Sequence, residues 1–303
     1  MNSFKILRSL LFVPANNWRI IQSAREEKPD AIILDLEDAV PIEEKETARW
    51  FVKDAVKLLK ESGKIVIVRV NGLSTGLTED DLKFAVQKDC DAIMLPKSES
   101  MDDITELERL IENEEKEKGL TETSIIPLIE SARGVINANE IVSASKRIVA
   151  VGFGAADYMR DFGRSYFSMS PQEIELLYPR SRLALAARKA EIPAIDTPFL
   201  GLMIDKEGLL KESKIALSLG FKGKMCIHPM HIEPINQVFS PSEKDFHLAK
   251  KIIKAYEEAM SRGLGAASVE GRMIDEATYK MAKETLMFCE TIGKKRQRFK
   301  IKW

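Results

Sequence analysis

The sequence predicts a (β/α)8 TIM barrel with a C-terminal helical extension, and three observations carry that prediction. Eight short apolar runs recur through residue 229, with helical spacing between them. Charged and polar side chains stand at the ends of six of these runs, where a barrel concentrates its chemistry. At 303 residues the chain has room for a barrel of about 250 residues and a further segment. Alternation repeated this often favours closure, and an open doubly wound sheet is the alternative with the same pattern.

The runs are 9–14, 31–37, 64–71, 92–97, 124–130, 148–157, 193–199 and 223–229. Most contain a continuous apolar stretch, as expected of strands buried on both faces. The first follows Lys5 and Arg8, loosely like a secretory leader. Its apolar core is about six residues, shorter than the roughly 7–15 of a leader, and Asn16-Asn17-Trp18 does not suit cleavage. Segment 41–62 places Glu43, Glu44 and Lys45 outside and Ala48, Val52, Ala55 and Leu59 inside, a helical face. Segment 101–118 repeats the pattern with Ile104, Leu107, Leu110 and Ile111.

After Pro229 the alternation stops. A helix within 241–263 takes Ser242 as its N-cap, with Glu243 and Asp245 at the positive end of its dipole. A Gly-rich stretch, 263–271, leads to Arg272-Met-Ile-Asp275, a last helix over 276–291 and a basic tail at 294–303 that is expected to fray. The chain therefore divides into a barrel, 1–239, and an extension, 240–303, carrying the Gly271–Asp275 motif.

Lys+Arg 46 against Asp+Glu 47 leaves a net charge of −1, so no global field points to nucleic acid or a membrane surface. Cys90, Cys226 and Cys289 form no C-x-x-C pair, which argues for a reducing compartment and against a zinc or disulfide frame. No run approaches the roughly 20 apolar residues of a membrane span. These features predict a soluble, cytoplasmic protein.

The run ends supply the candidate site. Glu130 and Asp157 close two successive strands, and paired carboxylates on one rim are a natural seat for Mg²⁺, which takes oxygen ligands and keeps several waters. The plainer account is that each caps a following helix. Arg69 ends a very apolar run, and a guanidinium there can grip a substrate carboxylate through paired hydrogen bonds. Its alternative is a salt bridge to Glu37 or Asp38. Those two acids suit a supporting role, holding metal-bound waters and orienting Arg69. Gly152-Phe-Gly154 is no dinucleotide fingerprint, because aspartate occupies the third glycine position, at 157. His228 and His231 lack the helical spacing of a zinc pair, and His228 is the better candidate for a pocket residue.

A set of motifs spans nearly the whole chain: Arg8-Ser-Leu-Leu-Phe-Val-Pro14, Leu34-Asp-Leu-Glu-Asp-Ala-Val40, Val68-Arg-Val-Asn71, Leu95-Pro-Lys97, Ile129-Glu-Ser131, Gly154-Ala-Ala-Asp-Tyr158, Ala194-Ile-Asp-Thr197, Gly220-Phe-Lys-Gly-Lys224, Ile227-His-Pro229 and Gly271-Arg-Met-Ile-Asp275. With them the chain resembles the citrate lyase β-subunit-like branch of the HpcH/HpaI aldolase family. The resemblance implies Mg²⁺ on Glu130 and Asp157, substrate carboxylate on Arg69, and cleavage of a 3-hydroxyacyl thioester into an acyl thioester and a 2-oxo acid. Citryl, malyl or citramalyl thioesters of coenzyme A or an acyl carrier protein are the implied substrates. It also implies a homotrimer, or a multiple of one, in which Asp275 enters a neighbour's site as the general acid–base. Thioester hydrolysis on the same site, or a subunit active only in a complex with its carrier, are the rival activities. For the cofactor's long arm, the expected mouth is Arg8, Pro14 and the Lys222–Lys224 loop, because a basic, Gly-containing loop suits phosphate.

Overall fold

The computed structural model describes residues 6–170 and 172–298, with side chains through residue 293. The basic tail at 294–303 therefore lies outside the described side chains. The chain forms two compact units, 1–239 and 240–303.

In the first unit, eight parallel strands close on themselves: β1 (Ser9–Pro14), β2 (Ala31–Asp35), β3 (Ile65–Arg69), β4 (Ala92–Leu95), β5 (Ser124–Ile129), β6 (Val151–Phe153), β7 (Ala194–Asp196) and β8 (Gly223–Cys226). Pairing of β1 with both β2 and β8 rules out the open sheet. The ring outside is α1 (Trp18–Ala24), α2 (Lys45–Glu61), α3 (Thr78–Ala85), α4 (Met101–Lys118), α5 (Ala132–Ile141), α6 (Ala155–Asp161), α7 (Ile174–Lys189), α8 (Lys206–Ser218) and α9 (Ile232–Val238). Among the described residues no helix is long and apolar enough to cross a membrane.

The pleat decides what the barrel holds. Successive strand side chains alternate between the interior and the helix ring. Leu10, Ile33, Ile67, Met94, Leu128 and Met225 belong to the cluster that fills the interior, while Leu11, Leu34, Val68, Leu95 and Ile129 pack outward with the helices. Two positions beyond Ile33, Ile67 and Leu128, the same alternation brings Asp35, Arg69 and Glu130 to the interior face. Polar chemistry is thus stacked directly on the apolar plug.

Asp157 is placed differently from the sequence reading, which put it at a strand end. β6 stops at Phe153, Gly154 caps α6, and Asp157 falls in that helix's first turn. The Gly154 N–H still bonds to Ile129 O at 2.9 Å, so the chain leaves the sheet immediately afterwards.

The second unit holds α10 (Glu243–Ser261), β9 (Ala267–Val269), β10 (Arg272–Ile274) and α11 (Glu276–Arg298). Ser242 and Asp245 form a reciprocal capping box at the start of α10. Ala249, Ile252, Tyr256, Ile274 and Ala282 make its small core. The Gly-rich stretch contains a tight antiparallel hairpin, with Val269 opposite Arg272. Its two loop residues, Glu270 and Gly271, both have positive φ, 51° and 77°, the conformation that two-residue hairpin turns require.

Candidate active site

At the carboxyl end of the barrel a cleft of about 300 Å³ is lined by Gly72, Pro96, Lys97, Glu130, Asp157 and Arg160, among others. Glu130 follows β5 directly and is 4% exposed. Its Oε1 accepts the backbone N–H of Lys97 at 2.8 Å. Burial, with the Glu37 and Asp157 carboxylates nearby, pushes the Glu130 carboxyl up to about 8 against the opposing pull of Arg69 and the Lys97 amide. Asp157 does not cap α6. It pairs with Arg160 Nη2 at 2.8 Å, and Arg160 is itself largely exposed.

Glycine at 154 is a spatial requirement. A Cβ there would stand 2.5 Å from Oε2 of Glu130 and 2.8 Å from its Cβ, closer than real carbons approach. The absent side chain leaves room for a carboxylate oxygen between β5 and α6.

Arg69 is 9% exposed, and its fork is already engaged. Nε and Nη2 donate to Oδ1 and Oδ2 of Asp35 at 2.7 and 2.6 Å, and Nη1 lies 3.0 Å from Glu37 Oε2. The Phe12 ring lies 4.7 Å below the guanidinium carbon. Asp35 and Glu37 help raise the Arg69 pKa despite burial, so the charge is permanent. The paired hydrogen bonds expected for a substrate carboxylate are spent on Asp35. What Arg69 offers a ligand is its field and any N–H left on its outer edge. Next to it, Asp81 accepts the Asn71 N–H at 2.7 Å, Asn71 Nδ2 at 2.6 Å and Arg49 Nε at 2.7 Å, which fixes the turn after β3.

Glu37 is buried and bridges two cations, Arg69 and Lys97, whose Nζ donates to Oε1 at 2.5 Å. Burial raises its carboxyl, against the lowering by Arg69 and Lys97. Asp38 is exposed beside it. Asp275 belongs to the second unit, where its Oδ1 accepts the Thr278 N–H and Oγ1–H, both at 2.8 Å. It is the N-terminal cap of α11, and the Thr278 N–H holds its carboxyl below the usual range.

Two candidates for the cofactor mouth are corrected. Arg8 precedes β1 and binds Asp30 through Nε at 2.7 Å, at the amino end of the strands. Lys224 lies near the start of β8, 0% exposed, donating to Asp196 at 2.7 Å and to Glu212. The loop precedes the last strand instead of following it, so it sits at the wrong end of the barrel, and an ammonium with two buried carboxylate partners is unavailable to phosphate. Pro14 ends β1 and stays on the cleft's side. His228 is half-buried, its Nδ1 accepting the Met230 N–H at 3.2 Å, while His231 Nε2 lies 2.9 Å from Met203 O.

Asp35 and Lys97, which the sequence places at run ends without a site role of their own, are both engaged beside these groups. Period-two counting from Ile33 points to Asp35. Nothing in the sequence announces the backbone turn at Lys97.

Hard oxygen donors, a carboxyl raised by burial and by like charges, and the space left by Gly154 together fit a small divalent cation. Among the described residues no group of three or more His, Cys, Asp or Glu is arranged to hold a metal ion by itself. Two carboxylates are a donor set that Mg²⁺ commonly takes, with water and ligand oxygens completing the shell.

Fold and cleft place the chain among the (β/α)8-barrel proteins that present reactive groups at strand carboxyl ends. It belongs to the HpcH/HpaI aldolase/citrate lyase family, whose model matches residues 8–229. It is 40% identical over 277 residues to citrate lyase subunit beta of Leuconostoc mesenteroides subsp. cremoris, covering 91% of this chain and 90% of that one. Identity to a (3S)-malyl-CoA thioesterase of Cereibacter sphaeroides is 32% over 286 residues, covering 94% and 95%. Among solved structures, the CitE protein of Mycobacterium tuberculosis in complex with magnesium, acetoacetate and coenzyme A aligns with a TM-score of 0.73 at 28% identity, covering 93% of this chain and 98% of that one.

Proposed function

We propose that the protein is a Mg²⁺-dependent carbon–carbon lyase. Its substrate is a 3-hydroxyacyl thioester of coenzyme A or an acyl carrier protein (citryl, malyl or citramalyl), which it splits into an acyl thioester and a 2-oxo acid. The observation that carries this reading is Glu130, a carboxyl on the wall of the cleft that burial and the nearby Glu37 and Asp157 carboxylates push up to about 8. Such a site is stabilised by a bound cation. The magnesium and coenzyme A held by the CitE relative support the same assignment.

Glu130 and Asp157 would hold the metal, with Glu37 and Asp38 orienting its waters. Bound there, Mg²⁺ supplies a Lewis acid for the hydroxyl that becomes the ketone. Arg69, anchored on Asp35, sets a fixed positive charge beside the oxygen that gains negative charge, at no reorganisation cost during the reaction. The hydroxyl gives up its proton to solvent water as it becomes the ketone, the electrons of the breaking carbon–carbon bond pass to the thioester α-carbon, and Asp275 delivers a proton there, so that no net proton is consumed. In the reverse direction Asp275 is the base, and the ionised state that Thr278 favours suits that role. Asp275 acting from a neighbouring subunit of a homotrimer is part of the proposal.

The thioesterase relative supports a second reading, in which water attacks the thioester on the same metal site. Incubation with malyl-, citramalyl- and citryl-CoA plus Mg²⁺ separates the two. Release of a 2-oxo acid, abolished by chelation and by Glu130→Gln, is the expected result. Free hydroxy acid without oxo acid would establish hydrolysis. Silence until a carrier protein and its transferase are added would establish a subunit that works only in a complex.

A further inference from the structure

Five non-glycine residues among those described have positive φ, and Lys97 (φ 51°) is the one that lines the cleft. Side chains at such angles are uncommon, and they cluster where geometry is over-determined by function. The turn at Lys97 has two consequences. Its amide N–H meets Oε1 of Glu130 at 2.8 Å. Its ammonium meets Oε1 of Glu37 at 2.5 Å, although the side chain remains 41% exposed. A single residue, two positions past β4, thus ties together the carboxylates that follow β2 and β5.

We propose that Lys97 is a positioning residue. Its left-handed backbone aims its own N–H at Oε1 of Glu130, so that Oε2 is the single oxygen offered to a cation. Its ammonium caps Oε1 of Glu37, so that this acid meets Arg69 through Oε2 alone, at 3.0 Å. On the opposite side Gly154 leaves the space in which Oε2 sits. The backbone and the side chain of Lys97 therefore do separable jobs. Without the amide, Glu130 is free to rotate. Without the ammonium, Glu37 is free to draw on Arg69 with both oxygens. The inference rests on Glu130 being a metal ligand, and it assigns to the residue after Pro96 the control of how that ligand is presented.

The test separates the two jobs in the 303-residue chain without substrate. Mn²⁺ serves as the probe, bound ion being counted by loss of the free-ion EPR signal, with Mg²⁺ as competitor and thermal midpoints as a fold control. Lys97→Gly and Lys97→Asn accept the left-handed backbone and lack the ammonium, so their Mn²⁺ affinity stays within roughly threefold of the parent. Lys97→Val resists that backbone and moves the amide, and its affinity falls at least about tenfold, the lower end of what lost orienting partners cost a metal site. Should Lys97→Val fail to fold, Lys97→Ala makes the same comparison. In turnover, Lys97→Gly and Lys97→Asn raise KM for the thioester while cation affinity holds, and Lys97→Arg restores KM. Equal Mn²⁺ affinity in the Gly, Asn and Val (or Ala) variants overturns the backbone role, and an unchanged KM overturns the side-chain role. A parent chain that binds no Mn²⁺ overturns the metal reading itself, a distinct failure.

Discussion

Arg69 grips Asp35 through both carboxylate oxygens, at 2.7 and 2.6 Å, on top of the Phe12 ring. The pair is buried and sits directly above the apolar plug of the barrel. Two fixed hydrogen bonds remove the guanidinium's freedom to follow a ligand, so its charge is held where the fold puts it. Preorganisation is obtained by surrendering the bidentate edge. Asp35→Ala therefore leaves a buried guanidinium with Glu37 as its remaining close carboxylate, and the loss of one partner of such a pair costs about 3–5 kcal/mol. Thermal unfolding should show a large drop in midpoint for Asp35→Ala and a comparable one for Arg69→Lys, which cannot form the fork. An unchanged midpoint in both would mean that the pair is not part of the fold's support.

The eight strands and the barrel were legible because buried parallel strands leave continuous apolar runs, and nothing else in the chain imitates them. Glu130 was legible for the same reason, as a charge ending such a run. Three things were not. The run over 148–157 hides the exit at Gly154, because glycine and alanine suit a strand end and a helix start equally well, so Asp157 was placed on the wrong element. Lys222–Lys224 reads as a basic loop, and only register shows that Lys224 faces Asp196 and Glu212 between barrel and helices. The hairpin over 267–274 lacks the Asn-Gly or Asp-Gly turn that announces one, because Glu270 holds the first positive-φ position.

Lys224→Met tests that correction. Removing the ammonium leaves Asp196 and Glu212 sharing the Arg180 guanidinium, 2.9 Å from Asp196 and 3.3 Å from Glu212. A destabilisation of about 3–5 kcal/mol is expected in denaturant titration. Where the variant folds, KM for a coenzyme A thioester should be unchanged. A raised KM with intact stability would restore Lys224 to the cofactor's path.

Gly154→Ala addresses the proposed metal seat without replacing either proposed ligand. The new methyl collides with Oε2 and Cβ of Glu130, and overpacking of this kind costs about 1–3 kcal/mol. The φ of −106° at Gly154 permits alanine, so the strain falls on the carboxylate. Mg²⁺ affinity should fall at least about tenfold, as when a ligand's support is lost. Affinity equal to the parent's would show that Oε2 is not the oxygen that matters.

Protonation of Glu130 gives a pH dependence whose sign can be worked out. Its carboxyl, raised from 4.5 to about 8 by burial and by Glu37 and Asp157, is favoured neutral in the folded, metal-free chain. The stability it contributes is present below its unfolded value and is lost as pH rises through about 8. Mg²⁺ requires the ionised form, so binding below that pH releases a proton, and apparent affinity rises by up to about tenfold per pH unit. Calorimetry at pH 6 and pH 8, in buffers of different ionisation heat, measures both quantities. Equal affinity at the two values with no proton release would remove Glu130 from the ligand set.

Asp275 has a helix-capping role in this structure and a proton-transfer role in the proposed reaction, and one substitution distinguishes them. Asparagine keeps the side-chain oxygen that accepts from Thr278 N and Oγ1 at 2.8 Å, and it ranks with aspartate as an N-cap. It cannot exchange the proton. Asp275→Asn should therefore melt with the parent and bind Mg²⁺ equally, because the change is confined to the exposed start of α11. Turnover should nevertheless fall by about 10²–10⁴, the usual consequence of losing a general acid–base. The same variant should fail to exchange the α-protons of an acetyl thioester with deuterium from solvent, a reaction that needs the base but no bond cleavage. If Asp275→Asn turns over at the parent rate, Asp275 is a cap and nothing more, and the proton donor must be sought elsewhere in the chain.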